Sequence, residues 1–74
     1  MIKYSPSQKY TDEGRLLAAI IKAGFFPRLE YSIEGKWYVE IRVNGRMLGY
    51  GEKRTRRAAI IAAIKHTNKY LGGA

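Results

Sequence analysis

Two alternating runs flank an Asn-Gly pair, and this arrangement restricts the chain more than any other stretch of its sequence. Trp37, Val39, Ile41 and Val43 alternate with Lys36, Tyr38, Glu40 and Arg42, which predicts a strand with one apolar and one wet face. Asn44-Gly45 is the pair favoured by a two-residue type I′ hairpin, because both turn positions need a positive φ. That turn would set Val43 opposite Arg46, Ile41 opposite Leu48 and Val39 opposite Tyr50, with Leu48 and Tyr50 on the apolar side. Upstream, Leu29, Tyr31 and Ile33 predict another strand. A three-residue loop at residues 34–36 would pair Ile33 with Trp37 and Tyr31 with Val39, keeping the apolar residues on one face. The expected product is a three-stranded antiparallel meander whose apolar face must be covered.

Helical periodicity supplies the cover. Leu16, Leu17, Ile20, Ile21 and Ala23 fall three and four residues apart, behind a start signal of Thr11, Asp12 and Glu13. Gly24 ends this helix, Pro27 prevents its resumption, and Phe25 and Phe26 are expected to close the core beneath it. A second helix is expected from about Arg56 to about Tyr70. Ile60, Ile61, Ile64 and Leu71 would form its inner stripe, Ala58, Ala59, Ala62 and Ala63 would allow close approach, and Gly72-Gly73 would stop it. The fold class is therefore α+β, with order α-β-β-β-α and both helices on one face of the sheet. Residues 1–10 read as an extended lead-in that Tyr4 and Tyr10 could pin, and residues 11–74 as one domain. At 74 residues a single apolar core just suffices.

Charge then points towards a partner. Lys53, Arg54, Arg56 and Arg57 crowd the start of the second helix, with Thr55 among them as N-cap. Aligned peptide dipoles already make that end positive, so folding alone would favour Asp or Glu there. Exposed amides, a hydroxyl and four cations form a phosphate site in physical terms. Lys36 and Arg46 join these four as candidate nucleic-acid-binding residues. The formal charge is +8, and from Arg46 onward the cations meet only Glu52, so a polyanion is the expected partner, ahead of a membrane surface. Lys65 and Lys69 suit the negative end of their helix and need no other account.

Other chemistries find little footing. There are no cysteines, which excludes disulfides and thiolate metal sites and fits a cytoplasmic location. His66 is the sole histidine, so no metal is expected, and the scattered carboxylates suggest no catalytic set, no cofactor and no enzyme. Gly49-Tyr50-Gly51 is too short for a nucleotide loop and reads as a strand end that bends.

The helix ending in Gly24, Pro27, Tyr31, Gly49-Tyr50-Gly51, the basic run and Ala62-Ala63 together resemble a double-stranded RNA-binding domain over about residues 14–71. The resemblance implies reading of A-form shape, with cations at the start of the second helix on phosphates. Aligned on Ala62-Ala63, the family's two adjacent lysines fall on Thr55 and Arg56 and its third on Ala59. The family's Gly-Pro-x-His loop is replaced by Glu34, Gly35 and Lys36, and its first-helix polar contacts fall on about Ala18 and Ile21. Tyr4-Ser5-Pro6-Ser7, Tyr10, Gly14, Leu16-Leu17, Gly35-Lys36-Trp37 and residues 60–65 are similar to small phage proteins of the NinX type. That likeness implies phage or prophage origin, and the rival to nucleic-acid binding is accordingly a phage-encoded protein-interaction module or inhibitor whose basic face docks on an acidic host protein. Gly35-Lys36-Trp37 followed by Asn44-Gly45-Arg46 is also similar to three-stranded DNA-binding domains of plant transcription factors and phage integrases. In that arrangement Tyr38, Arg42 and Met47 would meet DNA.

Overall fold

The computed structural model describes residues 1–4 and 13–72. Helix α1 (Glu13–Lys22) leads into strands β1 (Phe26–Tyr31), β2 (Trp37–Val43) and β3 (Arg46–Lys53), and helix α2 (Arg56–Gly72) closes the chain. The strands form an antiparallel sheet in the order β1-β2-β3. The α-β-β-β-α layout is the expected one. Thr11 and Asp12, expected to open α1, and Gly73, expected to end α2, lie outside the described residues.

Local signals set the ends of the elements. Gly24 takes φ +94°, its N–H donates to Ile21 at 2.9 Å, and the Phe25 N–H donates to Ile20 at 3.1 Å, so both orphan carbonyls are satisfied in a Schellman cap. Asn44 and Gly45 have φ of 49° and 77°, and Val43 faces Arg46 as the type I′ turn requires. Thr55 accepts the Ala58 N–H on Oγ1 at 3.2 Å and so caps α2.

The first hairpin is displaced from its expected register. Tyr31 pairs with Trp37 and Leu29 with Val39, so the loop is residues 33–35 and Ile33 is fully exposed. The cause is Gly35 at φ +78°. A three-residue loop needs its left-handed residue last, and residues 34–36 would have put Lys36 there. Because the register moves by two, Leu29 stays on the inner face.

The second hairpin departs from expectation more deeply. Beyond Arg42 opposite Met47 a bulge shifts the ladder, so Ile41 faces Gly49 and Val39 faces Gly51. Tyr50 therefore points to the outer face, 45% exposed, and Leu48 is only half-buried. Alternation had put Leu48 and Tyr50 inside, but the approach of α2 reverses this. A Cβ at Gly49 would lie 2.2 Å from Thr67 Oγ1, and one at Gly51 would lie 2.3 Å from the Ala59 carbonyl and 2.6 Å from Ala63 N. Only glycine admits a helix backbone this near a strand.

The core lies between α1, α2 and β2. Leu16, Ile20, Val39, Ile41, Ala59, Ile60, Ala63 and Ile64 are buried, with Phe25, Leu29 and Trp37 packed around them. Ala59, Ala63 and Thr67 share the inner side of α2 with Ile60 and Ile64, whereas of the other residues expected there Ile61 is half-buried and Leu71 exposed. Phe26, expected beneath α1, pairs with Arg42 and points outward. Ile2 was not anticipated: it is 2% exposed, and the Asn68 side chain holds its backbone by accepting from Ile2 N and donating to Ile2 O, each at 2.8 Å. That paired contact, together with Ile2 burial, seats the N-terminal segment against α2.

Candidate nucleic-acid interface

The two helix N-termini and one end of the sheet meet around Trp37. Lys53 pairs opposite Trp37 at the end of β3, so the turn into α2 crosses the sheet there. Arg56, the first residue of α2, places its guanidinium 5.4 Å from the Trp37 ring centre and donates from Nε to the Glu13 carboxylate. The acid that α2 lacks in its own first turn is thus supplied by the first turn of α1. Lys36 lies 4.0 Å from Glu52. Lys53 and Arg54 are exposed and carry no ion pair among the described residues.

The basic end continues along α2. A groove of about 300 Å³ runs beside its first turns, lined by Lys53, Arg57 and Lys65 over a floor of Ala58, Ile61 and Ala62. None of the six is acidic. Lys65 suits the negative helix end, yet Arg57, Ile61 and Lys65 recur every four residues and so share one side of the helix.

Of the six candidates, the structure gathers Lys53, Arg54, Arg56 and Arg57 at the start of α2, turns Lys36 at the same end of the sheet to the outer face against Glu52, and leaves out Arg46. Arg46 faces Val43, at the opposite end of a seven-residue strand and so roughly 20 Å away. Tyr31, expected in the core with Trp37, is 59% exposed, its ring centre 5.0 Å from that of Trp37.

The outer face of the sheet has a different character. Glu30, Tyr38, Glu40 and Glu52 are on it by register. Glu40 binds Arg28 at 3.4 Å and Arg42 at 3.1 Å and accepts from the Tyr38 hydroxyl at 3.3 Å. Burial, and then the Glu40 charge beside it, hold the Tyr38 hydroxyl above the ordinary tyrosine pKa. Tyr50 touches Tyr38 at 5.7 Å, and His66 accepts the Tyr50 N–H on Nδ1 at 3.1 Å, which caps a donor of the edge strand β3. Among the described residues no His, Cys, Asp and Glu group could hold a metal ion, and no helix is long and apolar enough to cross a membrane.

No protein-family model, curated protein sequence or solved structure matches this chain.

Proposed function

We propose that the protein is a small nucleic-acid-binding module that grips phosphates with the start and flank of α2. The observation that carries this reading is the groove itself: Lys53, Arg57 and Lys65 rim an apolar floor, with no carboxylate, directly beside a capped helix start and the exposed Arg54. Cations suit phosphates, and the alanine and isoleucine floor suits the C–H surface of a sugar. The element order agrees with the resemblance to double-stranded RNA-binding domains, which favours an RNA duplex. Binding of DNA through the sheet is less favoured, because on the outer face Arg28, Lys36 and Arg42 are offset by Glu30, Glu40 and Glu52.

A mobility-shift panel of RNA duplex, DNA duplex and single strands tests the reading. Log affinity should fall linearly with log salt, and Arg54→Gln with Lys65→Gln should lower the magnitude of that slope by roughly one per lost phosphate contact. Both side chains are exposed, so the fold should keep its stability. A panel with no salt-dependent binding would overturn the proposal and leave an acidic protein partner as the better account of the basic face.

A further inference from the structure

We propose that Tyr31 is a stacking platform for one unpaired base of the same nucleic acid, an inference that rests on the phosphate-binding reading above. Tyr31 is the last residue of β1, on the inner side of the sheet by register but 59% exposed. Its ring leans on Trp37 at 5.0 Å and 57°. On Trp37 in turn lies Arg56, which Glu13 holds in place. The platform is therefore fixed before any ligand arrives, and a base can stack with little side-chain ordering. Contacts of 5.0 Å and 5.4 Å lead from Tyr31 through Trp37 to Arg56 at the basic turn. An aromatic face beside a cationic track is how single strands are bound without sequence preference.

Charge decides between this aromatic pair and the other one. Tyr38 and Tyr50 also touch, 5.7 Å apart, but on their face Glu30, Glu40 and Glu52 balance Arg28, Lys36 and Arg42, so it offers phosphates no net attraction. On the inner side next to Tyr31 and Trp37 stand Lys53, which pairs opposite Trp37, and Arg56, whose guanidinium lies over the indole. The acids near Tyr31 are Glu13, already engaged by Arg56, Glu30, its chain neighbour turned by register to the outer face, and Glu34, exposed in the loop. The ligand class that follows is a duplex with a single-stranded extension, or a single strand, rather than a blunt duplex.

Trp37 is the sole tryptophan and reports directly on its neighbour. The full chain is titrated, at about physiological salt, with a blunt RNA duplex, the same duplex with a short overhang, and the overhang strand alone. The overhang should raise affinity roughly tenfold over the blunt duplex and quench Trp37 fluorescence. Tyr31→Leu keeps an apolar side chain against Trp37 without a π-face. It should abolish the overhang advantage while leaving blunt-duplex affinity and salt slope unchanged, and Tyr31→Phe should restore the advantage. Equal affinity for blunt and overhang duplexes, or equal losses on both in Tyr31→Leu, would overturn the stacking platform with phosphate binding intact. Absence of salt-dependent binding in every arm would overturn both proposals together.

Discussion

Gly51→Ala should destabilise the protein more than any other single-methyl addition on the sheet except at Gly49. A methyl at residue 51 would stand 2.3 Å from the Ala59 carbonyl oxygen, 2.6 Å from Ala63 N and 2.7 Å from Ala62 Cβ, where ordinary contact begins at 3.4 Å. Two of these are backbone atoms, so no rotamer change relieves the clash and α2 must withdraw by about 1 Å. Withdrawal loosens Ala59, Ile60 and Ala63 against β2 and β3. Overpacking plus the lost contacts should cost about 3 kcal/mol, a large share of the roughly 4–11 kcal/mol expected for a domain this size. In a thermal melt this is a fall of about 10–25 °C. Gly45→Ala is the control: its Cβ would meet nothing within 4 Å, so only the strain of φ +77° remains, about 1 kcal/mol. Urea unfolding followed by Trp37 fluorescence gives both values. If Gly51→Ala lost no more than Gly45→Ala at an unchanged m-value, the close packing of α2 on β3 would be refuted.

Two further outcomes follow from single contacts. Because the folded state holds the Tyr38 pKa above its unfolded value, this stabilisation is complete below about pH 10 and is lost as pH rises through the folded pKa. Tyr38→Phe should therefore flatten the alkaline fall of stability in urea titrations, and an unchanged slope would count against it. Asn68→Ala strips both hydrogen bonds from the Ile2 backbone and should cost about 2 kcal/mol, with Ile2 methyl resonances moving towards random-coil positions. Wild-type stability and shifts would show that the N-terminal segment contributes nothing.

The parts of the fold that were legible in the sequence are those fixed within a few residues. Asn44-Gly45, the Thr55 cap and Gly24 each act through their own φ or hydroxyl, so their outcome does not depend on distant packing. The inner residues of β3 are settled otherwise. Alternation favours Leu48 and Tyr50 inside because they are apolar, but whether a side chain fits there depends on how near α2 comes, and α2 comes near because Ala59, Ala63 and Thr67 face the strand. Gly49 and Gly51 carried that information, although by sequence they read as a bend. The candidate site divides in the same way. Lys53, Arg54, Arg56 and Arg57 are contiguous and could be read as a group, whereas Lys65 enters it only once one knows which side of α2 the sheet leaves uncovered. Arg46 stands apart from this group, because the length of its own strand separates it from Lys53.

The same close packing also shapes the basic end. With α2 held against Gly49 and Gly51, its first turn falls over Trp37 and within reach of Glu13, so Arg56, though exposed, is engaged by its own protein and becomes a positioning residue for the indole. The conflict between cations and the positive helix end is thus relieved by one carboxylate for Arg56, while Lys53 and Arg54 have no ion pair among the described residues. On the far side of the sheet, Glu40 gathers Arg28 and Arg42 and leaves that face close to neutral. Net charge of +8 is therefore not spread evenly around the domain. Its densest run, Lys53 to Arg57, stands where the end of β3 meets the start of α2, the edge at which the proposed function places a polyanion.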